Sequence, residues 1–136
     1  YAEKGLGAYL NDTRMRVSGR TRMIDCIFAT GVPFGGRPTL PATLQDLAQL
    51  MPVTAGVRRF GAAALDLAYV AAGRYDGYWE RGMNAWDVAA GALLVREAGG
   101  FVGPIRDGQN PVESGNIIAA NAGVFDALTT TLRKRD

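Results

Sequence analysis

Gly61-Ala62-Ala63-Ala64-Leu65-Asp66-Leu67-Ala68-Tyr69-Val70-Ala71-Ala72-Gly73, then Asp76-Gly77-Tyr78-Trp79-Glu80, then Trp86-Asp87-Val88-Ala89-Ala90-Gly91 and Glu97-Ala98-Gly99-Gly100 together decide the fold. In the first segment Leu65, Ala68, Tyr69 and Ala72 fall at i, i+3, i+4 and i+7, which predicts a helix over about 62–72 with that stripe toward the core. Gly73 stands where a left-handed residue closes a helix. Residues 76–80 are short and aromatic and read as a strand. Residues 88–98 read as a second helix, rich in Ala and Gly and stopped by Gly99-Gly100.

The same alternation extends outward. Strands are predicted at 23–29, 53–59, 101–102 and 116–120, and a terminal helix at 125–132. Leu44, Leu47, Ala48 and Met51 share one face of a short helix over 43–51, which Pro52 ends. Residues 30–41, with three glycines and three prolines, form a loop. Tyr9-Leu10, Asn11-Asp12 and Met15-Arg16-Val17 suggest a hairpin with a polar turn. Strands alternating with helices predict an α/β domain, with helices on both faces of one sheet.

With 136 residues, 48% of them hydrophobic, the chain is long enough for one domain with its own core. A net charge of +2 is too small to argue for a nucleic-acid partner or an anionic membrane. Arg133-Lys134-Arg135 reads as a solvated helix end. No apolar run approaches the roughly 20 residues of a membrane span. The single cysteine, Cys26, lies in an apolar alternating run and reads as a buried strand residue; a reducing, cytoplasmic setting fits. The absence of histidine excludes Ser-His-Asp and Cys-His catalysis within the chain and most zinc sites. Hydrolysis here would use carboxylates, hydroxyls and a hard cation. The chain opens at Tyr1 as though leaving one strand for a turn, and it is read as a fragment or an excised domain.

Three features carry candidate chemistry. Gly61 lets backbone approach closely, and the free N–H groups of the helix start at Ala62 and Ala63 suit an anion or a hydroxyl-bearing ligand; it also reads simply as the entry to an Ala-rich packing helix. Glu80 closes a strand where ligands bind in open α/β sheets, or ends it as a solvated carboxylate paired with Arg81. Asp87 reads as the N-cap of its helix, accepting from the N–H of Ala89 or Ala90, with a second oxygen left for a Mg²⁺. Close packing of the two small-residue helices would bring Gly61, Glu80 and Asp87 to one edge of the sheet. Asp46, Asp66, Asp76, Asp107 and Glu113 are scattered and form no second spaced motif, and Asp66 is placed to pair with Arg58 or Arg59.

At these residues the chain resembles the inositol monophosphatase family of Mg²⁺-dependent, lithium-sensitive phosphatases. Residues 86–91 with 97–100 match its C-terminal signature, and residues 61–73 match the helix before it. Residues 5–11 and 116–121 match a mid-chain turn and the last strand. The resemblance implies the C-terminal layered α/β/α sandwich of the inositol monophosphatase and fructose bisphosphatase-like fold. It implies Asp87 as a metal ligand that also touches substrate, Glu80 as acceptor from a substrate hydroxyl, and Gly61, Ala62 and Ala63 as pocket lining. Position 62 is commonly Ser or Thr in relatives; Ala62 keeps the N–H and loses the hydroxyl. Arg58 matches a position whose role in relatives is mainly structural or near the dimer interface, and it is not assigned to catalysis.

The resemblance further implies an N-terminal half carrying a Glu and an Asp-Pro-x-Asp-Gly-Thr type motif, which is not found in these residues. Hydrolysis of myo-inositol monophosphate, a homodimer, and no nucleic-acid or membrane partner are expected, with the chain inactive by itself. Nucleotide 3′-phosphate, histidinol phosphate and fructose bisphosphate are the alternative substrates. A sugar-phosphate-binding or scaffold module is the non-enzymatic alternative.

Overall fold

The computed structural model describes residues 1–32, 35, 37–59, 62–83 and 85–133, without the side chains of Ala85 and Asp87. Strands β1 (Ala2–Glu3), β2 (Gly7–Leu10) and β3 (Thr13–Arg14) form a small antiparallel sheet. Its second turn is a two-residue one: Asn11 and Asp12 both take positive φ, 50° and 63°, as a hairpin of matching twist requires.

The main sheet contains β4 (Ile27–Thr30), β5 (Gly56–Arg58), β6 (Gly77–Glu80), β7 (Phe101–Pro104) and β8 (Ile117–Ala120), in the order β5-β4-β6-β8-β7. β4 runs parallel to β5 and β6, while β8 is antiparallel to β6 and β7. Helices α1 (Leu40–Leu50), α2 (Ala63–Ala71), α3 (Ala85–Glu97), α4 (Pro111–Ser114) and α5 (Phe125–Arg133) complete it.

Period-two alternation divides the core. Ala29, Tyr78, Ile117 and Ala119 face α2 and α3, packing on Leu67, Val70, Val88 and Val95. Their neighbours Phe28, Trp79, Ile118 and Ala120 face α1 and α5, packing on Leu50, Leu128 and Leu132. The expected sheet with helices on both faces is observed. α2 and α3 approach closely because position 91 has no side chain: a Cβ there would stand 2.7 Å from Leu67 Cβ. Gly73, with φ of 79°, terminates α2 as expected.

Several local readings are corrected. Residues 23–25 form a 3₁₀ turn, and β4 begins only at Ile27; Cys26 between them is buried. In α1 the buried positions are Thr43, Asp46 and Leu50, whereas Leu44 and Met51 are exposed. In α2 they are Ala63, Asp66, Leu67, Val70 and Ala71, so the stripe is rotated and Leu65 points outward. In each helix an Asp stands among the buried positions, Asp46 in α1 and Asp66 in α2. Arg133 is held rather than solvated, donating from Nε to Ile105 O (2.7 Å) and from Nη2 to Pro104 O (2.9 Å). Lys134 and Arg135 lie outside the described residues.

Candidate active-site edge

β4 and β6 are neighbours, and Thr30 registers with Trp79, so Gly31 and Glu80 follow side by side at their carboxyl ends. From this point the chain leaves β4 toward α1 on one face and leaves β6 toward α3 on the other. Such a divergence opens the crevice where α/β sheets bind ligands.

Glu80 is half-buried there. The Tyr78 hydroxyl, two residues back on the same face, donates to its Oε1. The Gly31 N–H donates to the carboxylate as well. Gly31 is required for space, because a Cβ would overlap the carboxylate. Burial pushes the Glu80 pKa above its ordinary value, against the opposing pull of Tyr78, the Gly31 N–H and the Arg37 charge. Arg81 does not pair with Glu80. It lies on the opposite face, donating from Nε to Asp46 Oδ2 (2.9 Å) and from Nη2 to Asp46 Oδ1 (3.0 Å).

The start of α2 lies at the carboxyl end of β5. Ala62 is extended (φ −133°, ψ 98°) and exposed, and it offers no side-chain cap. The first intrahelical bond runs from Asp66 N–H to Ala62 O (2.9 Å), so the N–H groups of Ala63, Ala64 and Leu65 precede the helical ladder. Ala63 is buried against the α3 side of the core. Gly61 lies outside the described residues.

Asp87 is not the N-cap. α3 starts at Ala85, which makes Asp87 its third residue. A carboxylate in the first turn favours the helix through the exposed N–H end, without the extended backbone of a cap. Ala63, Glu80 and Asp87 thus belong to elements that start or end at one sheet edge.

Asp66 had been expected to pair with Arg58 or Arg59. Instead it is fully buried, and neither carboxylate oxygen has a hydrogen-bond partner among the described residues. Burial, reinforced by the Glu80 charge, pushes its pKa up to about 6. Sequence reasoning gave no role to Tyr78 or Gly31. The i, i+2 spacing of Tyr78 and Glu80 on a strand was the available signal for the first; nothing local marks the second.

Among the described residues no group of three or more acidic, Cys or His side chains forms a metal site. Asp76 serves the opposite sheet edge, accepting from Ile27 N–H (2.8 Å) and Arg20 Nη1 (3.3 Å). A cleft of about 400 Å³ is lined by Leu47, Met51, Thr54 and Val57 on the α1 side and reaches Thr30 and Val32, the residues that flank Gly31, and Arg58 at the end of β5. No described helix is long and apolar enough to cross a membrane.

The model of the inositol monophosphatase family matches residues 1–135. An inositol-1-monophosphatase of Mesorhizobium japonicum is 48% identical over 132 residues, covering 97% of this chain and 50% of the relative. A Nus factor SuhB of Pseudomonas aeruginosa is 49% identical over 134 residues, covering 97% and 49%. The crystal structure of the extragenic suppressor protein suhB from Bartonella henselae superposes with a TM-score of 0.92 at 49% identity, covering 98% of this chain and 52% of that one. The chain spans about half the length of the curated relatives it matches.

Proposed function

Because this chain belongs to the inositol monophosphatase family, we propose that it supplies the substrate-holding face, and one metal ligand, of a Mg²⁺-dependent phosphomonoesterase acting on myo-inositol monophosphate. The observation that carries the reading is the convergence of three elements at one edge. These are the uncapped start of α2, the oriented Glu80 carboxylate at the end of β6, and the start of α3 bearing Asp87.

In this reading Glu80 accepts a hydrogen bond from a ring hydroxyl of the substrate. Tyr78 and Gly31 hold the carboxylate, so its orientation is established before substrate arrives. A carboxylate in that setting suits a polyol and gives nothing to a bare apolar leaving group. The segment Gly61, Ala62 and Ala63 lines the pocket, offering N–H groups rather than a hydroxyl. Asp87 holds Mg²⁺.

The donor set agrees with a shared metal. Among the described residues no group of three or more acidic, Cys or His side chains would hold a metal by itself, and the family resemblance gives Asp87 as this chain's ligand at the edge. Mg²⁺ takes one or two protein carboxylates, with water and phosphate completing its shell. The remaining ligands belong, in this proposal, to an N-terminal half of the same polypeptide. Mg²⁺ supplies polarisation of the phosphate ester and an attacking water of lowered pKa. The protein is proposed to act in the cytoplasm as a homodimer.

The test is phosphate release by the full-length protein, with and without Mg²⁺. Substrates are myo-inositol 1-phosphate, a nucleotide 3′-phosphate, histidinol phosphate and fructose bisphosphate. Mg²⁺-dependent turnover with inositol 1-phosphate preferred supports the reading. Preference for another ester overturns the substrate, and no turnover at all overturns the enzyme.

A further inference from the structure

Glu80 is the last residue of β6, and both of its chain neighbours are fixed on the opposite side of the sheet. Trp79 Nε1 donates to Asp46 Oδ2 (3.1 Å), and Arg81 binds both oxygens of the same carboxylate (2.9 and 3.0 Å). Asp46 is 1% exposed and the Arg81 side chain 12% exposed, so water does not compete for these bonds. Asp46 belongs to the middle of α1, a helix that otherwise has no part in the site.

Strand ends fray where the ladder stops. Here the ladder stops at Glu80, paired with Ile117 of β8. Rotation of residue 80 about the strand axis would turn Trp79 and Arg81 away from Asp46 and break three hydrogen bonds at once. A planar guanidinium on a carboxylate fixes direction as well as distance. A buried ion pair of this kind is weak evidence of stability, since an apolar pair of equal volume stabilises about as well. What it supplies is orientation, next to the one residue whose orientation the site uses.

We propose that Asp46 and Arg81 are positioning residues for Glu80: the Asp46 carboxylate clamps Trp79 and Arg81 on the α1 face and thereby aims Glu80 at the substrate hydroxyl on the α2 face. This rests on the reading of Glu80 as a hydroxyl acceptor. The clamp sets specificity for polyol esters and leaves phosphate chemistry alone.

The test compares myo-inositol 1-phosphate with 4-nitrophenyl phosphate, which has no polyol hydroxyl, in the full-length protein carrying Glu80→Gln, Asp46→Asn, Arg81→Leu or Arg81→Lys. The clamp variants should raise KM for inositol 1-phosphate roughly tenfold with kcat within about twofold, and leave 4-nitrophenyl phosphate kinetics unchanged. Arg81→Lys keeps the charge and loses the fork, and it carries the comparison if Arg81→Leu or Asp46→Asn does not fold. If Glu80→Gln changes the substrate ratio and the clamp variants do not, the clamp is overturned. Equal losses on both substrates also overturn it, by making the role merely structural. If Glu80→Gln itself leaves the ratio unchanged, the reading of Glu80 fails and the clamp with it.

Discussion

Tyr78 donates its hydroxyl hydrogen to Oε1 of Glu80, two residues further along the same face of β6. The bond joins a core residue to the candidate binding carboxylate, so packing on α2 and α3 is transmitted to the orientation of Glu80. Tyr78→Phe keeps the ring and removes the donor. A hydrogen bond to a charged group contributes about 1.5–3 kcal/mol. Tyr78→Phe should therefore lower stability in denaturant by about 1.5–3 kcal/mol and raise the Glu80 pKa further, since Tyr78 pulls it down. An unchanged Glu80 titration in carboxyl-resolved NMR would contradict the contact.

Gly31 accommodates the same carboxylate through absence of a side chain. Gly31→Ala places a methyl group where the carboxylate lies, and the carboxylate must yield because the methyl is attached to backbone. KM for inositol 1-phosphate in the full-length protein should rise roughly tenfold, the size of an effect worth about 1.4 kcal/mol. Circular dichroism should report an intact fold. Unaltered KM would show that Glu80 does not need this seat.

Asp66 makes stability pH-dependent in an unusual direction. Its folded pKa, about 6, is raised above the ordinary 3.8, so the folded state holds the proton more tightly. The stabilisation is fully present below about pH 3.8 and is lost as pH rises through about 6. At about 1.36 kcal/mol per pKa unit the change is about 3 kcal/mol. Asp66→Asn removes the titration, so its stability should fall less between pH 4 and 7 than that of the wild type. Urea midpoints across that range check this; parallel curves for the two proteins would contradict it.

The α2–α3 contact depends on Gly91 meeting Leu67. Gly91→Ala gains about 1 kcal/mol of helix propensity and loses about 1–3 kcal/mol to overpacking. Contact at 2.7 Å with Leu67 Cβ, which cannot move independently of its backbone, favours the loss. A net cost of up to about 2 kcal/mol by thermal or urea unfolding is expected, and a stabilised variant would show that the helices separate freely.

The architecture was legible because β4, β6 and β8 obey period two, and because Ala and Gly cluster where two helices meet. Glu80 was legible as a strand-end carboxylate in an α/β pattern. Asp46 was not, because its partner Arg81 lies 35 positions away, and Leu44 and Met51 draw the apolar stripe to the wrong side of α1. Asp66 was hidden for a related reason: a local pattern offers it Arg58 and Arg59, whereas the packed helix buries it without a partner. Periodicity reports which positions are apolar; it does not report which polar side chains tertiary packing will enclose.

The central claim is that this chain contributes both substrate recognition and a metal ligand to one phosphatase site. Asp87→Asn in the full-length protein tests it most directly, by Mg²⁺-dependent phosphate release from myo-inositol 1-phosphate alongside circular dichroism. Retained fold with turnover reduced by roughly 100-fold or more, and a raised Mg²⁺ requirement, is the predicted result. Wild-type turnover at wild-type Mg²⁺ would contradict the account.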